Sequence, residues 1–291
     1  MKNALVDALV DLFRKAATQL PQDVLAALEA ALKEEEPGSL GRDALFTILE
    51  NVRLASRQKK AICQDTGTPV FYISRPKTMD EDEIRQTILE ATRKATKEVP
   101  LRANAVDPVS GENTWDNVGV GRPQIYFETD AEKSEIRFDL LLKGGGSENI
   151  GQMYFLPDEE LGAQRNLEGI RRCVLDAVFK AQGKGCPPYI VSACVGGPRD
   201  AVARVAKKGF LRPLGQKSER SELVQLEERL LREINELGIG PAGLGGKTTA
   251  LAVHLSAIHR HPASFFVDVS FGCWALRRAS LRFSKGEAVY E

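Results

Sequence analysis

Three of the five cysteines, Cys63, Cys186 and Cys273, stand in loops rich in small, polar and ring residues: Ile62-Cys63-Gln64-Asp65, Gly185-Cys186-Pro187-Pro188 and Gly272-Cys273-Trp274. Glycines and prolines beside a thiolate let the backbone approach an inorganic centre and leave N–H groups to donate to its sulfurs. Metal ligation is the sharper reading, although scattered loop cysteines also arise with no metal. Their wide separation suits neither a zinc ribbon nor a ferredoxin, whose cysteines cluster in sequence. A [4Fe-4S] cluster gives the threesome a meaning. It normally takes four thiolates, so three protein ligands leave one iron open as a Lewis acid for the hydroxyl and carboxylate of a 2-hydroxy acid. Cys173 and Cys194 lie in apolar patterned segments and read as small core residues.

A second stretch, GPAGLGGKTT at 240–249, looks like a phosphate-binding loop. That motif needs G-x-x-x-x-G-K-[ST], with backbone N–H groups curled around an anion. Gly246, Lys247 and Thr248 fit, but the position of the first glycine is Pro241, which has no N–H to offer. Nucleotide binding is not expected, and Lys247 is left as a candidate anion contact.

Other residues have two readings each. Asp65 either moves a proton or caps the turn through Thr66 and Gly67. Arg102 either grips a carboxylate through two parallel hydrogen bonds or is a solvated surface charge. Gly144, Gly145 and Gly146, at a strand end, form either a carboxylate nest or a flexible turn. His261 either shuttles protons near neutral pH or serves the turn before Pro262. His254, alternating within an apolar strand, and His259, in a turn, read as structural.

These residues fall in motifs that resemble the class I, iron-sulfur fumarate hydratases and the similar L-tartrate dehydratases, in their α subunit or N-terminal domain. The motifs are CQDTG at 63–67, LRAN at 101–104, KGGGSEN at 143–149, GKGCPP at 183–188, GIGPAGLGGKT at 238–248, RHPAS at 260–264 and GCWALRR at 272–278. Their order and number make the resemblance specific, and it covers most of the chain after about residue 40. It implies a [4Fe-4S] cluster on Cys63, Cys186 and Cys273, catalytic roles for Asp65 and His261, and substrate contacts from Gln64, Arg102, Gly145 and Gly146. It implies that the GIGPAGLGGKT glycines shape backbone around the cluster and substrate cavity. It also implies hydration of fumarate to malate, as in the tricarboxylic acid cycle, or tartrate dehydration as the alternative; a non-catalytic iron-sulfur sensor is the reading from another class. The chain ends shortly after Cys273, so the resemblance implies a β subunit in an α2β2-like heteromer, supplying part of the site.

The elements that must position these residues follow from periodicity. Leu5, Leu9, Leu12, Phe13, Ala16 and Leu20 predict a first helix, Val24, Leu25, Leu28 and Leu32 a second, and residues 42–55 a third. This helical segment, 1–57, shows no polar constellation that suggests chemistry. The cluster-binding body, 58–291, alternates strands and helices. Val70–Ile73, Ile125–Glu128, Ile136–Leu142, Tyr189–Val195, Ala250–Leu255 and Ser264–Phe271 read as strands, the second and third as neighbours. Thr78 and Glu81 resemble a capping box before a helix to Pro100. Helices are predicted over 167–181 and 218–237 and after Pro198, and residues 102–122 form a long loop. The expected fold is α/β, a mixed sheet with flanking helices behind the helical N-terminal segment, in one domain over 1–291.

Composition narrows the partners. Forty basic and forty acidic residues cancel, so no whole-molecule field draws the chain to nucleic acid or an anionic membrane. A small dicarboxylate substrate and a protein partner are expected instead. No apolar run reaches the roughly 20 residues of a membrane span, and the amphipathic start is unlike a signal peptide. An odd number of cysteines without a C-x-x-C pair predicts reduced thiols and a cytoplasmic location.

Overall fold

Apolar residues three and four apart give the first helix a single buried stripe, with Leu9, Leu12, Phe13 and Ala16 fully enclosed. The computed structural model describes residues 2–129 and 135–291. In chain order the helices are α1 (Lys2–Thr18), α2 (Gln22–Glu34), α3 (Leu40–Gln58), α4 (Glu81–Glu98), α5 (Gly145–Asn149), α6 (Leu167–Ala181), α7 (Arg199–Lys208) and α8 (Ser221–Glu236). The strands are β1 (Thr68–Arg75), β2 (Gln124–Thr129), β3 (Ile136–Lys143), β4 (Gln152–Phe155), β5 (Tyr189–Gly196), β6 (Ala250–Ala257), β7 (Phe266–Gly272), β8 (Arg277–Ser284) and β9 (Glu287–Tyr290). The fold is mixed α/β, as expected, but the strands form two sheets where one was predicted.

The chain divides into two units, so that the helical segment 1–57 is shared between them. The first unit comprises Met1–Pro21, Asn51–Gly144 and Arg277–Glu291. Its five strands run in the order β2-β1-β3-β8-β9, with β1 parallel to β2 and antiparallel to β3. β2 and β3, predicted as neighbours, are therefore separated by β1. The alternation of Phe138 and Leu140 with Arg137 and Asp139 gives β3 one core face, on which α1 and α4 supply Phe13, Ile84, Ile88 and Ala91. Phe13 meets Phe71 edge to face at 5.6 Å. The cap of α4 is Asp80, whose side chain accepts from the Glu83 N–H at 2.9 Å. The expected Thr78–Glu81 capping box does not form, because the helix starts at Glu81 and Asp80 directly before it holds the cap position, where a short carboxylate reaches the Glu83 N–H.

The second unit comprises Gln22–Glu50 and Gly145–Leu276. Its sheet order is β4-β7-β5-β6, with β5 parallel to β6 and antiparallel to β7. Every residue of β5 is buried because both faces are covered. Tyr189, Val191 and Ala193 face the core shared with α6 and α8, and Cys194 packs with Val202 and Ala206 of α7. Burial pushes the thiols of Cys173 and Cys194 up to about 12, the behaviour of the core residues the pattern predicted. His254 is likewise structural, buried with Nδ1 at 3.0 Å from the Gly209 carbonyl oxygen.

Candidate functional site

In the first unit, the CQDTG loop joins α3 to β1 and is tied to the LRAN segment through one hydroxyl. Thr66, 3% exposed, accepts from the Arg102 backbone N–H at 3.0 Å and from Asn104 Nδ2 at 3.3 Å. Asn117 carries the stitch onward, with its Oδ1 accepting from the Asn104 N–H and its Nδ2 donating to the Arg102 carbonyl. Three of the expected substrate and proton-transfer residues thus share one corner: Gln64 and Arg102 are exposed there and Asp65 is half-buried. Asp65 Oδ1 accepts from the Gly67 N–H at 3.0 Å, the turn-capping contact foreseen beside its catalytic reading. Its carbonyl accepts from the guanidinium of Arg277, a side chain in a residue 2% exposed.

Gly67 ends the loop at φ +83°, and a Cβ there would lie 2.7 Å from the Leu142 carbonyl carbon. The loop must therefore be glycine where it crosses the end of β3. Cys63 itself is half-buried, and Ile62 before it is pinned by hydrogen bonds to Ala17 and Asn51. Residues 102–122 contain no helix or strand, as predicted, and only isolated bridges such as Val106 to Asn113.

In the second unit, the loops of Cys186 and Cys273 meet. The Trp274 N–H donates to the Cys186 carbonyl at 3.2 Å. Cys186 is exposed at φ +58°, before a cis Pro187-Pro188 bond, and Cys273 is half-buried. Burial pushes the Tyr189 phenol up to about 12; the Gly185 N–H it accepts pulls the other way, and the charges of both Cys186 and Cys273 add to the rise. A cleft of about 430 Å³ opens beside them, lined by Cys186, Trp274, Gly183, Ala242, Leu244 and residues of the first turns of α3.

The GIGPAGLGGKT loop forms one wall of that cleft. The Ala242 N–H donates to the Pro187 carbonyl at 2.8 Å. A Cβ on Gly243, at φ +75°, would lie 2.7 Å from the Cα of Gly183. The loop does hold an anion, and it is Glu35 of this chain. The Lys247 N–H reaches both carboxylate oxygens at 3.0 Å and the Thr248 N–H reaches Oε1 at 2.8 Å. Glu35 is 2% exposed. Burying a carboxylate costs several kcal/mol, and hydrogen bonds to a charged group return about 1.5–3 kcal/mol each, so the arrangement holds only with its donors in place. The Lys247 side chain pairs with the exposed Glu36, which raises its pKa. The N-terminal segment thus carries a polar constellation that sequence reading missed: in the run Glu34-Glu35-Glu36, nothing marks the middle carboxylate as buried.

Gly145 and Gly146 are exposed in the first turn of α5, a short helix where a strand-end turn was expected. His261 lies in an exposed turn, with Nδ1 accepting from the Ala263 N–H at 3.1 Å. That bond places the proton of the neutral ring on Nε2. Among the described residues, no group of three or more His, Cys, Asp or Glu stands as a ready metal cage. What the loops offer an iron-sulfur cluster is thiols in residues that are not fully buried, two of them on loops joined by a backbone hydrogen bond beside a cleft, with glycines that let backbone come close. In these respects the two thiols of the second unit suit such a group, and the first unit offers one.

A family model described as fumarate hydratase (fumerase) matches residues 6–282. A putative fumarate hydratase class I of Geobacillus stearothermophilus is 43% identical over 290 residues, which is 98% of this chain and 56% of that protein. A putative L(+)-tartrate dehydratase subunit alpha of Methanocaldococcus jannaschii is 40% identical over 280 residues, 95% of this chain and 96% of its own. The L(+)-tartrate dehydratase subunit alpha of Escherichia coli strain K12 is 30% identical over 282 residues, covering 96% of this chain and 90% of its own. The chain therefore spans little more than half of the Geobacillus protein and nearly all of the two subunits. Among the described residues, no helix is long and apolar enough to cross a membrane.

Proposed function

The chain belongs to the fumarate hydratase family, and from that premise we propose that it is the α subunit of a hydro-lyase that interconverts fumarate and malate, its site completed by a β subunit. Cys63, Cys186 and Cys273 would hold a [4Fe-4S] cluster, which when bound supplies Lewis-acid activation of a 2-hydroxy acid. The observation that carries this reading is the Trp274 to Cys186 backbone bond, which brings two thiol loops distant in sequence together beside a cleft. No structural demand of the β5 core requires cysteine at either position, since both thiols are at least partly exposed.

The remaining roles fall to this chain's own side chains. The Arg102 guanidinium holds one substrate carboxylate in a planar, two-point grip, with Gln64 beside it. Backbone N–H groups of Gly145 and Gly146 orient carboxylate oxygen, as the small residues leave the backbone uncovered. The Asp65 carboxyl, oriented through the Gly67 N–H, exchanges a proton with the substrate, and His261 relays one through Nε2. A base supplied in part by the partner removes the proton at C3.

Anaerobic co-purification with the β chain, followed by assays of fumarate hydration and tartrate dehydration, tests the reading. Fumarate hydration in an iron-loaded complex is expected, and Cys186→Ser should abolish cluster and activity together. A brown complex active on neither substrate overturns it. Tartrate dehydration is the second reading, favoured by the near full-length match to the Methanocaldococcus subunit.

A further inference from the structure

The anion nest of the GGKT loop, filled by a carboxylate of the same chain, has no part in the roles above. We infer that Glu35 is a positioning residue for the Cys186 loop, acting through the backbone of residues 240–248. The inference rests on the reading of Cys186 as a cluster ligand for its functional meaning, but not for its geometry.

The chain of contacts is continuous and lies within one unit. Arg42 Nη1 donates to the carbonyls of Leu32 and Glu35 at 2.8 and 3.1 Å, closing the end of α2 and aiming the Glu35 side chain. The carboxylate then accepts from Lys247 and Thr248, as described. Two glycines let it sit there. A Cβ on Gly246, at φ +135°, would lie 2.7 Å from Glu35 Oε2, and one on Gly41 would lie 2.6 Å from the Gly245 carbonyl oxygen. At the other end of the same loop, Ala242 donates to the Pro187 carbonyl and Gly243 rests on Gly183. These contacts bracket Cys186 from both sides, and Cys186 itself donates from its N–H to the Gly183 carbonyl at 3.3 Å.

A carboxylate is needed here rather than a neutral side chain because both of its oxygens face N–H donors. The loop keeps the anion-binding chemistry of a phosphate cradle but spends it internally, on fixing a ligand loop. An incoming phosphate would have to displace a buried, satisfied carboxylate. The five-residue separation from Ala242 to Lys247 is spanned by Gly245 N–H to Ile239 carbonyl and Gly243 N–H to Gly240 carbonyl bonds, so the two ends of the loop are tied through its own backbone.

The test is site-resolved amide exchange on the full-length chain without cluster, comparing wild type, Glu35→Ala and Glu36→Gln. Glu35→Ala should speed exchange by about tenfold or more at residues 184–186 as well as at 242–248, with β5 and β7 unchanged. Millimolar formate, a carboxylate small enough for the emptied nest, should restore protection in both segments. Glu36→Gln, which alters only the exposed Lys247 pair, should do neither. If the alanine variant does not fold, Glu35→Gln, which keeps the volume but only one acceptor oxygen, carries the exchange comparison without the formate arm. Loosening confined to 247–248, or spread evenly through the sheet, overturns the inference. In the complex with the β chain, Glu35→Ala should also shorten the lifetime of cluster absorbance about tenfold, reversed by formate. A wild-type complex that takes up no iron while the exchange results hold would remove the hydro-lyase reading and leave the clamp standing.

Discussion

The Cys63 loop and the Cys186 loop are fixed by different balances of side chain and backbone. Around Cys63 the work is done by side chains: one buried hydroxyl, Thr66, gathers the LRAN segment, and the guanidinium of Arg277 holds the Asp65 carbonyl. Around Cys186 it is done by backbone, with glycine against glycine and N–H donors meeting carbonyls or the Glu35 carboxylate. A loop stitched by side chains loses its shape when a polar atom is deleted. One packed largely by backbone loses it also when an atom is added. The two loops should therefore respond to different substitutions.

The largest effect is expected from Gly243→Ala, which combines a left-handed backbone with a Cβ 2.7 Å from the Gly183 Cα. Strain and overpacking together should cost about 2–4 kcal/mol in denaturant unfolding. A cost below about 0.5 kcal/mol would break the contrast, since it would mean the backbone contact yields freely. Next comes Thr66→Val, which keeps volume but strands the Arg102 N–H and Asn104 Nδ2. It should cost about 1–3 kcal/mol and raise KM more than it lowers kcat, whereas Thr66→Ser should behave like wild type. Equal loss in both variants would assign Thr66 to packing instead.

The smallest effect on the fold, and the sharpest on the thiols, is expected from alkylation of the chain without cluster. Cys186, exposed, should react first at pH 8. Cys173 and Cys194, with thiols pushed up to about 12 by burial, should resist until unfolding, since at pH 8 only about one part in ten thousand is thiolate. The same shift has a sign in stability. The unfolded thiols ionise above their ordinary value of 9.0 while the native ones keep their protons, so stability should fall as pH rises from about 9 toward 12. Flat stability across that window would contradict their burial.

Much of this is legible in the sequence. The helix of α1 follows from its apolar stripe, the buried β5 from its continuous apolar run, and the core role of Cys173 and Cys194 from their patterned surroundings. Misreadings came where a non-local partner decides. β2 and β3 are close in sequence, yet β1 lies between them because it pairs with both. β4 and β9, four residues each, are too short to show a period and exist through pairing with β7 and β8. The α4 cap fell to Asp80 in place of Thr78, a difference of local geometry that the composition of the turn does not express.

What the amino-acid order determined alone is the chemistry available: thiols in glycine and proline loops, a glycine-rich loop whose Lys247 is a candidate anion contact, and the periodicities of helices and strands. Tertiary structure decided the pairings, including which anion fills the loop. Glu35 lies 212 residues from Lys247, and a hydrogen bond is a short-range force that no spacing rule can anticipate across such a gap. Only folding brings that carboxylate out of water to the two N–H groups that compensate its burial.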